Sequence, residues 1–461
     1  MKNYTAIFTM ILSFIMLAIA TESKAAAAPP NDNLASATKL FGQNAVVIAG
    51  TNVSATREAG EPNHYDANLP GVKTVWYKWT PLSSFAVQFE LTDNFSSTIA
   101  VYSAANENAA NFAELTKLNT ASNADFNGYT EARHRVKFFA EMGKTYYIAI
   151  GGYALFSSVT EGSFTLQYGR SRFRYSTDYE TRDDKASLSV FRPTDGNWYS
   201  LQNSTANLLN AVPWGTNGDV PVPADYDGDG ETDVAVVRNV GAAKNWYIYG
   251  ANGVSSYQWG IGSDRPVVGE FDGDGRADIG VFRNHPEGSY WHIRQSSNGM
   301  LRSFYFGKNG DKLVFGDFDG DGLTDPTVVR TFAQGMFWYS LRSSTNYTQF
   351  TTHQFGSEGD IPAAESFDVD SRTDIAVFRP SNGYWYVLRS SDGQFQAQQF
   401  GASGDKPQPA DYDGDGRADF AVFRPSAGAW YILRSGDNQF AAKQWGTSTD
   451  IPVSSMTTLS Q

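Results

Sequence analysis

One nine-residue pattern, repeated along the second half of the chain, constrains the fold more than any other feature. It alternates acidic residues with glycines, as in Asp411-Tyr-Asp-Gly-Asp-Gly-Arg-Ala-Asp419, and a β-branched and aromatic run follows it at once. If each copy is numbered from 1 to 9, oxygen-bearing side chains stand at positions 1, 3, 5 and 9. This spacing lets a tight loop turn several carboxylates toward one point. The copies occupy residues 225–233, 270–278, 317–325, 366–374 and 411–419.

Carboxylates gathered in this way are typical ligands of a hard cation. Ca²⁺ takes about six to eight oxygen ligands from carboxylates, backbone carbonyls and water. We predict about four to five Ca²⁺ sites, with side chains at positions 1, 3, 5 and 9 and a backbone carbonyl at position 7 as ligands. The predicted ligands are Asp225, Asp227, Asp229, Glu231, Asp233, Glu270, Asp272, Asp274, Arg276, Asp278, Asp317, Asp319, Asp321, Leu323, Asp325, Ser366, Asp368, Asp370, Asp374, Asp411, Asp413, Asp415, Arg417 and Asp419.

Two alternatives compete with a calcium loop between strands. An EF-hand needs a bidentate Glu at position 12 and a helix on each side. Position 12 is instead valine in the four best copies, and strand-like residues follow, so an EF-hand is excluded. A glycine-rich turn without metal stays open, but the near-identical copies favour metal. A degenerate sixth copy, residues 178–185, has lost most of the ligands.

The net charge excludes one class of partner. The chain carries a formal charge of −13, whereas binding to nucleic acid requires a basic face. The five loops hold 20 of the 49 acidic residues, so the acidity reflects the predicted metal sites.

Residues 1–25 are expected to be a secretory signal, because Lys2 precedes an apolar run and small residues follow. The apolar run is shorter than a transmembrane helix requires. We therefore expect a secreted, extracellular monomer, with a periplasmic or cell-surface location as the alternative. The chain has no cysteine and therefore no disulfides, which leaves calcium as the expected staple.

Residues 29–169 have a character of their own. Six strand-like runs are joined by Gly-, Asn- and Ser-rich turns, which predicts a β-sandwich or jelly roll. The segments Pro29–Leu34, Gly50–His64 and Val75–Trp79 resemble the bacterial pre-peptidase C-terminal (PPC) domain. That resemblance implies a non-catalytic accessory module of secreted proteins. The predicted strands are Thr74–Thr80, Phe85–Thr92, Thr98–Tyr102, Arg135–Phe139, Thr145–Ile150 and Ser163–Tyr168.

The remainder, residues 172–456, repeats every 45 to 49 residues. Each unit has an arginine ending its first strand, a tryptophan opening its second, an aromatic-Gly pair, and an aspartate four residues after that glycine. The arginines are Arg192, Arg238, Arg283, Arg330, Arg379 and Arg424. The tryptophans are Trp198, Trp246, Trp291, Trp338, Trp385 and Trp430. The aspartates are Asp219, Asp264, Asp311, Asp360, Asp405 and Asp450.

A period in the forties with short strands is typical of β-propeller blades. We predict an all-β chain in which the sandwich precedes a propeller of six blades, with seven as the alternative. Phe355-Gly356, Phe400-Gly401 and the acidic loops resemble the FG-GAP/VCBS repeat family, and through it the propeller of integrin α-subunits. Either residues 173–178 or Ile451–Ser455 would complete the shared blade. The tryptophans are expected in the core and the arginines in pairs with the repeated aspartates, although both sets could instead bind glycans.

No catalytic motif is present, which favours a non-enzymatic binding or adhesion module for an extracellular glycan or protein. A secreted enzyme, or an accessory part of one, is the alternative. The turns 239–245, 284–290 and 331–337 are two residues longer than their equivalents and would form an arc on one face. Neutral drift in exposed hairpins explains them equally well. The candidate ligand-binding residues are Lys244, His285, Glu287 and Phe337.

Overall fold

A computed structural model of the chain describes residues 27–41, 46–64, 71–82, 85–93, 95–104, 109, 111–122, 133–155, 158–170, 185–201, 209–228, 231–251, 253–368, 370 and 372–455. In these residues the chain is all-β, as predicted, and its helices are three short 3₁₀ turns, Leu34–Ser36, Phe112–Glu114 and Ser343–Thr345. No helix in the described part of the chain is long and apolar enough to cross a membrane. The expected signal, residues 1–25, lies outside the described residues, as do residues 178–184 of the degenerate loop.

The first ten strands build two sheets that share one core. One sheet has the order β1-β3-β8-β5-β6, with β9 paired to β8, and the other has the order β2-β10-β4-β7. Apolar side chains from both sheets, among them Trp79, Phe89, Ile148 and Leu166, form a single buried cluster. The strands are β1 (Thr38–Lys39), β2 (Val46–Thr51), β3 (Gly71–Trp79), β4 (Phe85–Asp93), β5 (Ser97–Ala104), β6 (Leu115–Ser122), β7 (Arg133–Ala140), β8 (Tyr146–Leu155), β9 (Ser158–Val159) and β10 (Ser163–Arg170).

All six strands predicted in this part overlap observed strands. The sequence pattern missed β1, β2, β6 and β9. All four, including β6, pair with only one other strand: β1 and β9 have only two residues each, and the exposure of β2 alternates between half-buried and exposed. Edge strands lack the continuous apolar run that marks a strand in sequence.

The repeat array forms six four-stranded antiparallel sheets in the described residues, which we call repeat sheets one to six. Sheet one has the order β13-β12-β11-β34, and sheets two to six each take four consecutive strands from β14 onward. The strands are β11 (Leu188–Arg192), β12 (Asn197–Leu201), β13 (Leu209–Pro213), β14 (Val220–Pro221), β15 (Val234–Val240), β16 (Ala243–Gly250), β17 (Gly253–Ile261), β18 (Arg265–Gly269), β19 (Asp278–His285), β20 (Gly288–Arg294), β21 (Leu301–Tyr305), β22 (Lys312–Val314), β23 (Thr327–Phe332), β24 (Gly335–Leu341), β25 (Phe350–Gln354), β26 (Ile361–Pro362), β27 (Ile375–Arg379), β28 (Tyr384–Leu388), β29 (Phe395–Gln399), β30 (Lys406–Pro407), β31 (Phe420–Arg424), β32 (Ala429–Leu433), β33 (Phe440–Gln444) and β34 (Ile451–Pro452).

The six repeated tryptophans are core residues, each at most 2% exposed, so the interpretation of the set as a sugar-binding surface is wrong. In five of them the indole Nε1 donates a hydrogen bond to the carbonyl of the aromatic residue in the aromatic-Gly pair. In Trp385, for example, Nε1 lies 2.8 Å from the Phe400 oxygen. The tryptophan thus fills the core and also ties the third strand of its sheet to the end of the fourth.

The predicted pairing of the repeated arginines and aspartates is confirmed in all six units. Each guanidinium binds its aspartate through Nε and Nη2, as Arg424 does to Asp405 at 2.7 and 2.8 Å. The aspartate side chains are at most 1% exposed. A two-bond arginine–carboxylate contact of this kind fixes geometry as well as charge.

Every repeat sheet packs against the next, and the sixth packs against the first. Buried clusters join sheets one and two, two and three, and so on to five and six. A further cluster joins Val190 and Leu201 of sheet one to Phe423 and Trp430 of sheet six. Of the two segments predicted to complete the shared sheet, Ile451–Pro452 pairs with β11, whereas residues 173–178 lie outside the described residues.

Candidate metal centres

Each acidic loop connects the first strand of a repeat sheet to its second. The loop 411–419, for example, lies between β30 and β31. Its glycines at positions 4 and 6, Gly414 and Gly416, have φ angles of 84° and 87°. Glycine adopts this left-handed conformation without steric cost, which is why the pattern interleaves glycines with acids.

Five groups of three carboxylates converge in these loops. In each group, one oxygen from every member lies within 4.8 Å of the others. Four groups combine positions 1, 3 and 9. The fourth loop, which has Ser366 at position 1, uses positions 3, 5 and 9 instead. The groups are Asp225/Asp227/Asp233, Glu270/Asp272/Asp278, Asp317/Asp319/Asp325, Asp368/Asp370/Asp374 and Asp411/Asp413/Asp419.

Backbone amides of the loop itself orient the position 1 carboxylate. Asp411 accepts hydrogen bonds from the amides of Gly414 at 2.6 Å and Gly416 at 2.8 Å. Glu270 and Asp317 accept the equivalent bonds in their own loops. The carboxylate at position 1 therefore shapes the loop as well as offering oxygens to a cation.

The position 9 carboxylate is held at both of its oxygens. In Asp278, Oδ2 accepts from the amide of Phe271 at position 2, and Oδ1 accepts from the amide of Ser296 at 2.6 Å. The same two bonds recur in the loops that end at Asp325, Asp374 and Asp419. The carboxylate therefore keeps one orientation in four of the units.

Serines that the sequence analysis missed bind the carboxylates from the turn after the third strand of the sheet. Ser297 donates through its amide and its hydroxyl to Oδ2 of Asp272, at 3.2 and 2.7 Å. Equivalent bonds reach Asp319 and Asp368. The available signal was a serine six residues after the repeated tryptophan in three units, at Ser297, Ser344 and Ser391.

Positions 5 and 7 engage each other in three loops. The Arg276 guanidinium binds Asp274, Arg417 binds Asp415, and Arg372 binds Asp370. Asp274, Asp321 and Asp415 are not members of the triads, and their role as direct ligands stays a prediction. Asp229 lies outside the described residues.

The position 7 residues show no uniform side-chain role. Leu323 is 8% exposed, and Glu231 is half-buried. Because the prediction for position 7 concerned backbone carbonyls, the roles of Glu231, Arg276, Leu323 and Arg417 as carbonyl ligands stay predictions.

Burial makes the ionised form of these carboxyl groups costly. It raises the pKa of Asp278 to about 8, and the charge of Asp272 adds to the effect. Burial likewise raises the pKa of Asp419 to about 7 and that of Asp374 to about 6. The pKa values of Glu270 and Asp317 rise well above their ordinary values for the same reason. A cation among these groups would favour their ionised forms.

The sequence suggested that turns 239–245, 284–290 and 331–337 are enlarged loops, but the structure shows longer strands instead. The extra residues extend the strand pairing, so that Val240 pairs with Ala243, His285 with Gly288, and Phe332 with Gly335. Three two-residue turns then close the hairpins, which we call the extended hairpins of sheets two, three and four.

The extended hairpins place the four candidate ligand-binding residues differently. Lys244 is only 6% exposed, and its Nζ donates to Oδ1 of Asn239 at 2.9 Å, so its role as a ligand-binding residue stays a prediction. His285 and Glu287 are exposed, and the His285 ring meets Tyr290 edge-on at 5.3 Å. Phe337 is half-buried, with its ring edge-on to Phe332.

Comparison with known proteins supports one repeat of the array. Residues 366–422 match the model of the FG-GAP-like repeat. None of the curated proteins matches this chain in sequence.

Similar solved structures include a DUF4784 family protein from Bacteroides caccae, which is 10% identical, with 76% of this chain and 89% of that chain covered and a TM-score of 0.33. AztD from Citrobacter koseri is 12% identical, with 79% and 96% covered and a TM-score of 0.28. A glycoside hydrolase family 32 protein from Bifidobacterium adolescentis is 10% identical, with 82% and 90% covered and a TM-score of 0.21. Because these TM-scores are low, what this chain shares with a named family is the FG-GAP-like repeat at residues 366–422.

Proposed function

We propose that the chain is an exported, non-enzymatic, calcium-binding β-propeller that serves as a binding or adhesion module for an extracellular glycan or protein. The observation that carries the proposal is the recurrence of a convergent carboxylate triad in five loops at one place in the repeat. The match to the FG-GAP-like repeat supports it, because two of the triads lie within the matched residues.

The residues fit Ca²⁺ in chemistry and in size. The triads offer carboxylate oxygens alone, without nitrogen or sulfur, which is the set that hard cations prefer. Two oxygens that share a Ca²⁺ at about 2.3–2.6 Å each lie no more than about 5 Å apart. The separation of 4.8 Å or less meets that limit. Buried carboxyl groups with raised pKa values also gain most from a cation that neutralises them.

The six repeat sheets would be the six blades, with β34 from the chain end completing the first. Residues 29–169 would be a PPC-like accessory module. A closed ring suits a binding role, because radial repetition leaves only short sheet edges and holds the connecting turns on a rigid frame. The cations would staple that frame in a protein without disulfides.

A binding surface would lie on the extended hairpins of sheets two, three and four. These consecutive hairpins carry exposed apolar side chains, since Val240 is 48% and Phe332 is 41% exposed. The neighbouring Tyr305 is 57% exposed and meets Tyr290 at 5.0 Å. Together with His285, these rings form an aromatic group on the middle hairpin. Exposed rings beside polar groups are common where proteins bind partners.

The experiment is to probe the purified chain on arrays of glycans and extracellular proteins, with calcium and with EGTA. We expect binding that EGTA abolishes, and that Asp272→Asn with Asp319→Asn weakens. Asp392→Asn is the matched control, because Asp392 is an exposed partner of Arg389 outside the triads. If the chain binds nothing on the arrays but releases products from polysaccharide or peptide, the secreted-enzyme alternative replaces the proposal.

A further inference from the structure

The acidic loops of neighbouring units are joined by a repeated backbone hydrogen bond. The amide at position 8 of one loop donates to the carbonyl of position 1 in the preceding loop. The donor and acceptor pairs are Ala277 and Asp225, Thr324 and Glu270, Thr373 and Asp317, and Ala418 and Ser366, with distances of 2.6 to 2.7 Å. Ala186, just before β11, makes the equivalent bond of 2.6 Å to Asp411. The loops therefore touch in sequence around the array.

Two of these junctions carry a second bond. Where position 8 is threonine, its Oγ1 accepts a hydrogen bond from the position 1 amide of the preceding loop. Thr324 Oγ1 lies 2.8 Å from the Glu270 nitrogen, and Thr373 Oγ1 lies 3.0 Å from the Asp317 nitrogen. At these junctions the position 1 residue is therefore held through both its amide and its carbonyl. The alanines at the other junctions have no hydroxyl and cannot form this bond.

The residue before position 1 is small where the position 8 residue of the next loop is the larger threonine. It is glycine at the two threonine junctions, Gly269 and Gly316. A Cβ on Gly316 would lie 2.8 Å from Cγ2 of Thr373, and a Cβ on Gly269 would overlap Oγ1 of Thr324. Neither glycine has a positive φ, so backbone conformation does not require it.

The alanine junctions show the converse. There the residue before position 1 carries a side chain, Ala224, Glu365 or Ala410, and it faces alanine in the next unit. Glycine in one loop therefore occurs together with threonine in the next loop. Packing within a single loop would not require this pairing of residue types.

We infer that Thr324 and Thr373 are positioning residues that couple three consecutive cation sites, in loops 270–278, 317–325 and 366–374. The inference rests on the calcium-binding function proposed above. Thr324 is bonded covalently to Asp325, a triad member of its own loop, and it holds the backbone of Glu270, a triad member of the preceding loop. Thr373 stands in the same way between Asp374 and Asp317.

The cation sites would be coupled because a cation bound in one loop orders the loop of the neighbouring site. A cation bound by Asp325 fixes the chain at Thr324, and the two bonds then fix Glu270 in the orientation that the preceding site needs. The second cation meets a loop that is already ordered, so it pays less conformational entropy and binds more tightly. The loops 225–233 and 411–419, which are joined to the next unit through Ala277 and Ala186, would be coupled more weakly.

The test uses the full chain and Ca²⁺ alone as the probe, with binding followed by titration calorimetry after removal of metal. Thr324→Val removes the hydroxyl and keeps the shape, Thr324→Ser keeps the hydroxyl, and Thr352→Val is a control at an exposed threonine. We expect Thr324→Val to lower the cooperativity of binding and to weaken the affected sites by about fivefold, the equivalent of one hydrogen bond. Thr324→Ser should restore both, and the control should match the native chain.

Further variants separate coupling from folding. Gly269→Ala would push Thr324 away from the other side of the junction, and Thr373→Val would break the second junction. Both should lower cooperativity in the same way while the number of bound ions stays unchanged. If one variant fails to fold, as judged by circular dichroism, the other decides.

The two proposals fail differently. If the native chain binds no Ca²⁺, both the proposed function and the coupling fall. If it binds Ca²⁺ and the valine variants keep native affinity and cooperativity, the coupling is wrong and the metal sites stand.

Discussion

Arg192 and Asp450, 258 residues apart in the chain, form a two-bond ion pair in which Nε lies 2.8 Å from Oδ1 and Nη2 lies 2.9 Å from Oδ2. The five equivalent pairs join residues only 19 apart. The same local contact therefore serves, in this one unit, to fasten the end of the repeat array to its beginning. Ser454 adds to the link, because its hydroxyl accepts from the Ser189 amide and donates to the Ser187 carbonyl.

Breaking this pair should destabilise the array. Arg192→Met would leave the Asp450 carboxylate, which is fully buried, without its partner. We expect a loss of about 2–4 kcal/mol in the free energy of unfolding, because removing one member of a buried pair strands a charge. Urea denaturation measures it. Arg434→Met, which breaks an exposed pair with Asp437, should cost less than about 1 kcal/mol. Equal losses in the two variants would contradict the assignment of a structural latch.

Calcium should raise the melting temperature. A ligand that binds the native state alone adds about 2.7 kcal/mol per site at a hundredfold excess over Kd. Extracellular sites often have Kd values near ~10⁻⁴–10⁻³ M, so millimolar calcium would add less per site, but the sum over the loops would still be several kcal/mol. Thermal melts in EGTA and in millimolar Ca²⁺ measure the difference, and superimposable curves would refute calcium-linked folding.

The ion count gives a sharper version of this experiment. Asp413→Ala removes one member of the triad in loop 411–419 and should lower the number of bound calcium ions by one. Asp437→Ala, a change at an exposed aspartate outside the loops, should leave the count unchanged.

Stability without metal should fall as the pH rises. Burial raises the pKa values of Asp374, Asp419 and Asp278 to about 6, 7 and 8, above those of the unfolded chain. Such groups stabilise the fold while they are protonated. That contribution begins to fall above the unfolded pKa of about 4 and is fully lost once the pH exceeds the folded values of about 6 to about 8. Melts in EGTA between pH 5 and pH 9 should show the decline.

Calcium should reverse this trend, because protons compete with the cation for the same oxygens. The increase in melting temperature that calcium produces should therefore be larger at pH 8 than at pH 5.5. An increase that does not change with pH would show that these carboxyl groups are not the ones that bind the cation.

The hydrogen bonds of the buried tryptophans should be measurable by a matched pair of substitutions. Trp385 Nε1 donates to the Phe400 carbonyl, whereas Trp430 Nε1 is buried without a hydrogen-bond partner among the described residues. Phenylalanine removes similar volume at both positions, but only Trp385→Phe leaves a carbonyl without its donor. We expect Trp385→Phe to cost about 1 kcal/mol more than Trp430→Phe in urea denaturation. The reverse order would show that packing outweighs the hydrogen bond.

The sequence predicted those elements that depend on interactions within a few neighbouring residues. The all-β class and the loop boundaries follow from patterns within a few residues, since glycines with positive φ and alternating acids define a turn without help from the rest of the chain. The residues that recur in every unit also predicted one contact between distant residues. Because Arg424 and Asp405 recur at a fixed spacing, their pairing could be predicted without seeing the contact.

Contacts between separate segments could not be read from the sequence. Lys244 was assigned to an exposed turn because that turn is two residues longer than its equivalents, yet strand pairing buries it beside Asn239. The serines that hold the carboxylates approach from a different strand end, so nothing in the nine-residue pattern indicates them.

By itself the sequence determined where the carboxylates, tryptophans and arginines stand along each unit, because those positions follow from a period that every copy repeats. Only the tertiary structure decided that Ile451–Pro452 completes the first sheet and that Gly269 receives Thr324 of the next unit. The physical reason is that both contacts join residues far apart in sequence. Their energies come from packing and hydrogen bonds between units, which a pattern within one unit does not encode.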